Sequence, residues 1–491
     1  MLAALLLGSV AFAWVAVMTD SPGPGLDPDG ASYVGAAESL ARGDGYTVPL
    51  PSWISPMPVA PLAHFPPGFS TAIAIPTIAG MAPIQAARLV NALAAAGTVI
   101  AMSYVVASSV GLLAAAACAV AFMVARPLVL VHLALLSEPL FLCCFALVLL
   151  AMVRDWPPLA AGSIAAAAAL VRYAGIAATG ATVLWYALRP GTVRDRARRA
   201  AMAALPSVVF LGLWVIRTRG GRGGIRELGI YRGIGRTLVQ GAQTLVAWLV
   251  PTNDPPTRAQ WWMALGIVVL IALVITGGVS AARRRGRATR VERLSPIRVL
   301  AACAVFAACY AVVLVMSRLF ADANIPFDER LLSPIMMMVT MSTAVAAGAA
   351  WRGWSVPLRA LVVAMLVVWV DTSARVSYIE AAWAVSYGSD LAGDNWRTSP
   401  LIAWTRAHAG SAPIMSNWPA AIYFHLHRPA WQLPRTANRD TLRALVDTLA
   451  ARRAIAVVFD WPNPDAMPPT RMDSLGLRVL VRTPDGAVYG W

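Results

Sequence analysis

Two carboxylates stand on either side of a proline in L-D-P-D-G, where Asp27 and Asp29 lie roughly eight residues beyond the first apolar run. Pro28 and Gly30 stiffen and turn the backbone there, so both acids have little local freedom. A carboxylate held in this way can serve as a general base toward a hydroxyl or amine nucleophile. It can equally be a hard oxygen ligand for Mg²⁺, Mn²⁺ or Ca²⁺, or simply a turn and helix-cap residue. An amphipathic segment, residues 31–42, follows with Tyr33 and Glu38. The same loop closes at His64-Phe65-Pro66-Pro67-Gly68, where the paired prolines make a stiff corner and His64 can bind phosphate or orient a carboxylate.

A second set of charges lies at or inside apolar runs. Arg88, Arg126 and Arg172 fall near the same ends of different runs, Glu138 lies within one, and Arg330 opens a late one beside Asp328 and Glu329. Charges at membrane depth are costly and face cavities or partners. Guanidiniums converging near an acidic loop suit a phosphate or diphosphate. The structural alternative is snorkelling to headgroups together with Arg–Glu pairing.

The elements that must position these groups are membrane helices. Over 491 residues, 58% are hydrophobic and 13% charged, with mean hydropathy +0.64, more than a water-soluble core can hide. Apolar runs at residues 2–18, 84–107, 110–125, 127–152, 157–171, 173–188, 201–217, 260–281, 297–316, 330–349 and 355–372 read as about eleven transmembrane helices. The stretch from Pro67 to Met81 is short for a span and reads as a helix dipping into the interface. The net charge of +16 does not imply nucleic acid. Its arginines cluster beside apolar runs (Arg194, Arg196, Arg198, Arg199; Arg283 to Arg285, Arg287, Arg290), as the positive-inside rule and anionic lipid surfaces predict. With both clusters cytoplasmic, residues 20–68, 219–258 and 317–329 and the C-terminal tail all fall on the outer face. Within 219–258, residues 225–250 read as an amphipathic surface helix. The five cysteines lie in apolar runs, without metal-ligand spacing.

Residues 1–372 therefore read as a membrane domain, with outer loops 20–68 and 219–258, and residues 373–491 as a small α/β domain. In the latter, 412–416, 454–460, 477–482 and 487–491 read as strands, 441–453 as a helix, and Asp485-Gly486 as a hairpin turn. Asn417, His425 and His427 are candidates for acceptor contact there, with a folding role as the alternative.

Taken in order, D-P-D-G-A-S-Y, A-E-S-L-A-R-G-D-G-Y, H-F-P-P-G, A-A-R-L-V-N-A-L, L-S-E-P-L-F, V-R-Y-A-G-I and R-L-L-S-P-I resemble the GT-C superfamily of polyprenyl-phosphate-dependent glycosyltransferases. The nearest branch holds the protein O-mannosyltransferases and lipid A aminoarabinose transferases. The resemblance implies a sugar on a polyprenyl phosphate as donor, attacked with inversion at the anomeric carbon, in a bacterial plasma membrane with an extracytoplasmic site. It implies Asp29 as base with Asp27 second, and His64 and Arg330 as lipid-phosphate contacts. Many relatives have adjacent acids where Pro28 intervenes here, which leaves the choice of base open. The rival readings are a transporter or flippase, which predicts related halves and sites at the bilayer midplane, and an inactive relative serving in assembly. Sugar and acceptor are not legible in the sequence.

Overall fold

The computed structural model describes residues 1–219, 229–252, 255–285, 294–322, 324–435, 438–461 and 467–490. The chain is a polytopic helical membrane protein with a C-terminal α/β region. Among the described residues, six helices are long and apolar enough to cross a bilayer: Pro83–Val110, Val193–Thr218, Arg258–Arg284, Pro296–Phe320, Glu329–Gly353 and Val356–Tyr387. A seventh crossing arises if Leu112–Val124 and Arg126–Leu133, bent by 62° at Ala125, count as one. Leu2–Met18, Glu138–Val153 and Pro158–Val171 are shorter apolar helices.

Three boundaries differ from the sequence reading. The run at 127–152 is not one helix: it breaks after Leu133, and a new helix, Glu138–Val153, begins at Glu138. Pro139 at its second position explains the restart, since proline lacks an N–H and suits a helix's first turn. The last apolar helix continues to Tyr387 rather than ending at 372, because no proline or glycine interrupts it before Gly388, which has positive φ. The surface helix expected at 225–250 spans Ile234–Leu249, starting after Gly233 in the left-handed region. Residues 220–228 and 253–254 of that expected loop, and Arg287 and Arg290, lie outside the described residues.

The chain divides into two compact units. The first comprises Met1–Met18, Ala63–Phe69 and Leu89–Trp383. Its interior is small-residue rich, which lets backbones approach closely as membrane helices require. An added Cβ on Gly162 would run into Ala203 O, and one on Gly278 would meet Ala346 Cα at 2.5 Å.

The second unit comprises Thr19–Leu62, Ser70–Arg88 and Ala384–Trp491. Its five-stranded sheet contains the strands Ile414–Ser416, Ala430–Gln432, Ile455–Phe459, Arg478–Thr483 and Gly486–Gly490. The first three are mutually parallel, with Ile414–Ser416 in the middle, and the last two form an antiparallel hairpin beside Ile455–Phe459. Residues 412–416, 454–460, 477–482 and 487–491 thus hold strands as expected, although Trp491 lies outside the described residues. The first loop is sewn to this sheet. Ala430 and Gln432 donate to the carbonyls of Pro49 and Pro51 at 3.2 and 2.8 Å, and Trp53 N donates to Gln432 O at 3.0 Å.

Candidate functional site

Within the second unit, Asp27 caps the helix Pro28–Ala41, its Oδ1 accepting from Gly30 N at 2.7 Å. This engages the Asp27 carboxylate with the orphan amides of the first turn. Asp29 lies in that first turn and is half-buried. Tyr33 is buried at 2% exposure. Glu38 accepts a hydrogen bond from Tyr423 Oη of the C-terminal region and pairs with Arg42 at 2.8 Å. Burial, then the bond to Glu38, push the Tyr423 hydroxyl well above its ordinary range, so Tyr423 is a fixed donor. Arg88 belongs to this unit as well, 2.8 Å from Asp20 and 2.5 Å from Gln85 Oε1.

Within the first unit, three of the expected residues meet. Glu138, wholly buried, receives Arg172 at 2.5 Å and Arg330 at 2.8 Å, both on Oε1. Arg172 also donates to Ser137 Oγ at 3.1 Å. The helix break positions the carboxylate: Asn91 Nδ2 donates to the carbonyls of Ala134 and Leu136, both at 3.3 Å, fixing the irregular residues before Ser137. Arg172 leaves the C-terminus of Pro158–Val171 in extended conformation. Arg330 enters on the first turn of Glu329–Ala350, which Asp328 caps through Leu331 N at 3.1 Å. Two guanidiniums on one carboxylate carry a net charge of +1, at 17% and 26% side-chain exposure. Such a triad is pre-ordered for a partly exposed anion.

The His64–Gly68 corner is in the same unit. An added Cβ on Gly68 would lie 2.7 Å from Leu170 O, so glycine lets this corner seat against the backbone two residues before Arg172. His64 is exposed and stacks edge-on with Phe65 at 4.6 Å. Arg126 has its own carboxylate, Glu380, which accepts from its Nε and Nη2 at 2.9 and 2.7 Å.

Sequence reasoning missed Glu380, Ser137 and Asn91. Glu380 was legible as an acid following directly on an apolar run, but only once that helix is taken past residue 372. Ser137 and Asn91 stand inside quoted motifs, but the partners their side chains reach are set by tertiary packing, which composition does not display. Asn417 proves to be an interior bridge, donating to Phe459 O and Met467 O at 2.8 and 3.1 Å. His425 donates to Leu391 O at 2.9 Å. Among the described residues, no three His, Cys, Asp or Glu side chains gather as a metal donor set.

No protein-family model matches the sequence, and no curated protein matches it. Solved structures do. The oligosaccharyltransferase AglB from Archaeoglobus fulgidus superposes with a TM-score of 0.55 at 11% identity, over 93% of this chain and 69% of that one. The arabinofuranosyltransferase AftD from Mycobacteria gives 0.53 at 16% identity, over 98% of this chain and 39% of that one. ArnT from Cupriavidus metallidurans gives 0.48 at 15% identity, over 99% and 97%. The chain shares the fold of AglB and AftD.

Proposed function

We propose that the protein is an integral membrane glycosyltransferase that moves a sugar from a polyprenyl-phosphate donor to an acceptor on the extracytoplasmic face of a bacterial plasma membrane. The observation that carries this reading is the Glu138–Arg172–Arg330 triad, a buried carboxylate presenting two partly exposed guanidiniums. Support comes from the fold it shares with AglB, which was solved with an inhibitory peptide and a dolichol-phosphate, and with the arabinofuranosyltransferase AftD.

In this reading Arg172 and Arg330 hold the lipid phosphate and stabilise the negative charge that gathers on it as the leaving group departs. Asp29 accepts the proton of the acceptor nucleophile, whose oxygen or nitrogen then attacks the anomeric carbon. The bond from that carbon to the phosphate oxygen breaks with inversion, and polyprenyl phosphate leaves. Asp27, as helix cap, positions Asp29. His64, Arg88 and Arg126 are further contacts for the lipid phosphate in this reading, Arg88 and Arg126 each also pairing with a carboxylate. Tyr33 and Glu38 support the helix that carries Asp29. The acids and arginines lie at helix ends and in loops rather than at mid-span, which weighs against a transporter.

Binding of a polyprenyl phosphate to the purified full chain tests the reading. Arg330→Gln and Arg172→Gln should each weaken binding about tenfold or more, the weight of a charge-assisted contact. Unchanged affinity in both variants would remove the triad from the site.

A further inference from the structure

The Glu138–Val153 helix ends in a second cluster of arginines. Its 16 residues place that end about 24 Å from Glu138 at 1.5 Å per residue, toward the other side of a hydrocarbon core of roughly 30 Å. Asp155, just beyond the helix, is ion-paired to Arg189 and Arg298. Arg154, its neighbour, donates to Tyr104 Oη at 2.7 Å and Ser108 Oγ at 3.1 Å and lies 4.8 Å from the Tyr104 ring centroid. Two guanidiniums thus share one carboxylate, and the third, Arg154, is held by hydroxyls instead.

Beside them is a groove of ≈ 500 Å³, whose lining includes Leu6, Leu7, Leu112 and Ala116 on the apolar side and Ser103, Tyr104 and Ser108 on the polar side. That volume falls within the roughly 300–1,000 Å³ of small-ligand sites. Two polar atoms at the polar side have no hydrogen-bond partner: Ser103 Oγ, on a side chain that lines the groove and belongs to a residue only 1% exposed, and Arg154 Nε behind Tyr104 and Ser108. Buried polar atoms without partners are uncommon and ask for an explanation. An apolar trough ending in an orphan hydroxyl and a cationic excess fits an alkyl chain bearing an anionic head.

We infer that this groove is a specific site for one anionic glycerophospholipid, its acyl chain along Leu6 and Ala116 and its phosphate drawn to Arg154 and Ser103. It is separate from the Glu138 triad and independent of the reading given for that triad. The lipid would tie the ends of the Leu2–Met18 and Leu112–Val124 helices to the Glu138–Val153 helix.

Native mass spectrometry of the detergent-purified full chain, with phosphatidylglycerol and phosphatidylcholine of matched chains at equal concentration, tests this. Wild type should retain phosphatidylglycerol about tenfold over phosphatidylcholine, the weight of one charged hydrogen bond. Arg154→Gln should abolish that preference, and Ala116→Phe, which fills the trough while leaving the charge, should lower retention of both lipids. The second variant keeps the test open if Arg154→Gln does not fold. Equal retention of the two lipids by wild type overturns the inference, as does a preference that survives Arg154→Gln or a retention that Ala116→Phe leaves unchanged. Displacement of phosphatidylglycerol by a polyprenyl phosphate at this site would identify a carrier lipid instead, and equally overturns it.

Discussion

Arg330 Nε lies 2.8 Å from Glu138 Oε1 although the two residues are 192 positions apart, and the same oxygen receives Arg172 at 2.5 Å. One buried carboxylate therefore fixes two arginines from two other helices. Removing one member of a buried ion pair leaves uncompensated charge, a loss of about 3–5 kcal/mol. Glu138→Gln should lower the thermal midpoint of the detergent-solubilised chain by that weight. Adding Arg330→Gln should cost less than the sum of the two single changes. Additive losses in a double-mutant cycle would show that the two residues do not act together.

Gly68→Ala should destabilise the first unit by about 1–3 kcal/mol, the usual cost of overpacking. The new Cβ would sit 2.7 Å from Leu170 O and 2.8 Å from Leu170 C, backbone atoms that cannot swing aside. Thermal unfolding indistinguishable from wild type would mean that the His64–Gly68 corner does not seat against that helix end.

Tyr423→Phe removes the hydrogen bond to Glu38 that joins the first loop to the C-terminal region within the second unit. A loss of roughly 1–3 kcal/mol follows from leaving a partly buried acceptor with one partner fewer. Amide hydrogen exchange should report it locally, as faster exchange at Trp53 and Gln432, whose backbone bonds stitch the loop to the sheet. Exchange confined to global unfolding in both proteins would contradict this.

The second unit should lose stability on acidification. Burial, together with the nearby Arg406, His427 and Arg397, lowers the His425 pKa, outweighing its bond to the Leu391 carbonyl. A histidine whose folded pKa lies below its ordinary value of about 6.5 takes up its proton more readily unfolded. Stability is then full above pH 7 and falls as pH drops below about 6.5. His425→Gln should flatten this part of the stability curve while keeping a donor for Leu391. An unchanged slope would assign the effect elsewhere.

The helical membrane character, most helix positions and the strands of the C-terminal sheet were legible because apolar periodicity and turn residues are local signals. The convergence of Glu138, Arg172 and Arg330 was legible only as a set of costly charges at helix ends; that one carboxylate serves both arginines is a fact of tertiary packing. The break before Glu138 was hidden because residues 134–136 are as apolar as the helices on either side. That residues 19–62 fold with the C-terminal sheet was equally hidden, since Pro49, Pro51 and Trp53 pair through backbone atoms that carry no sequence signature. Asp27 as a cap was the ordinary reading of its residue type, and it is what distinguishes it from Asp29.

The most direct test of the proposed chemistry is turnover of radiolabelled polyprenyl-phosphate sugars by the purified full chain, comparing wild type with Asp29→Asn and Asp27→Asn. Release of polyprenyl phosphate by wild type should fall at least about 100-fold in Asp29→Asn, the weight of a general base, with donor binding and thermal midpoint retained. Asp27→Asn, still able to cap its helix, should lose much less. Full turnover in Asp29→Asn, or loss confined to Asp27→Asn, would contradict the assignment of Asp29 as the base.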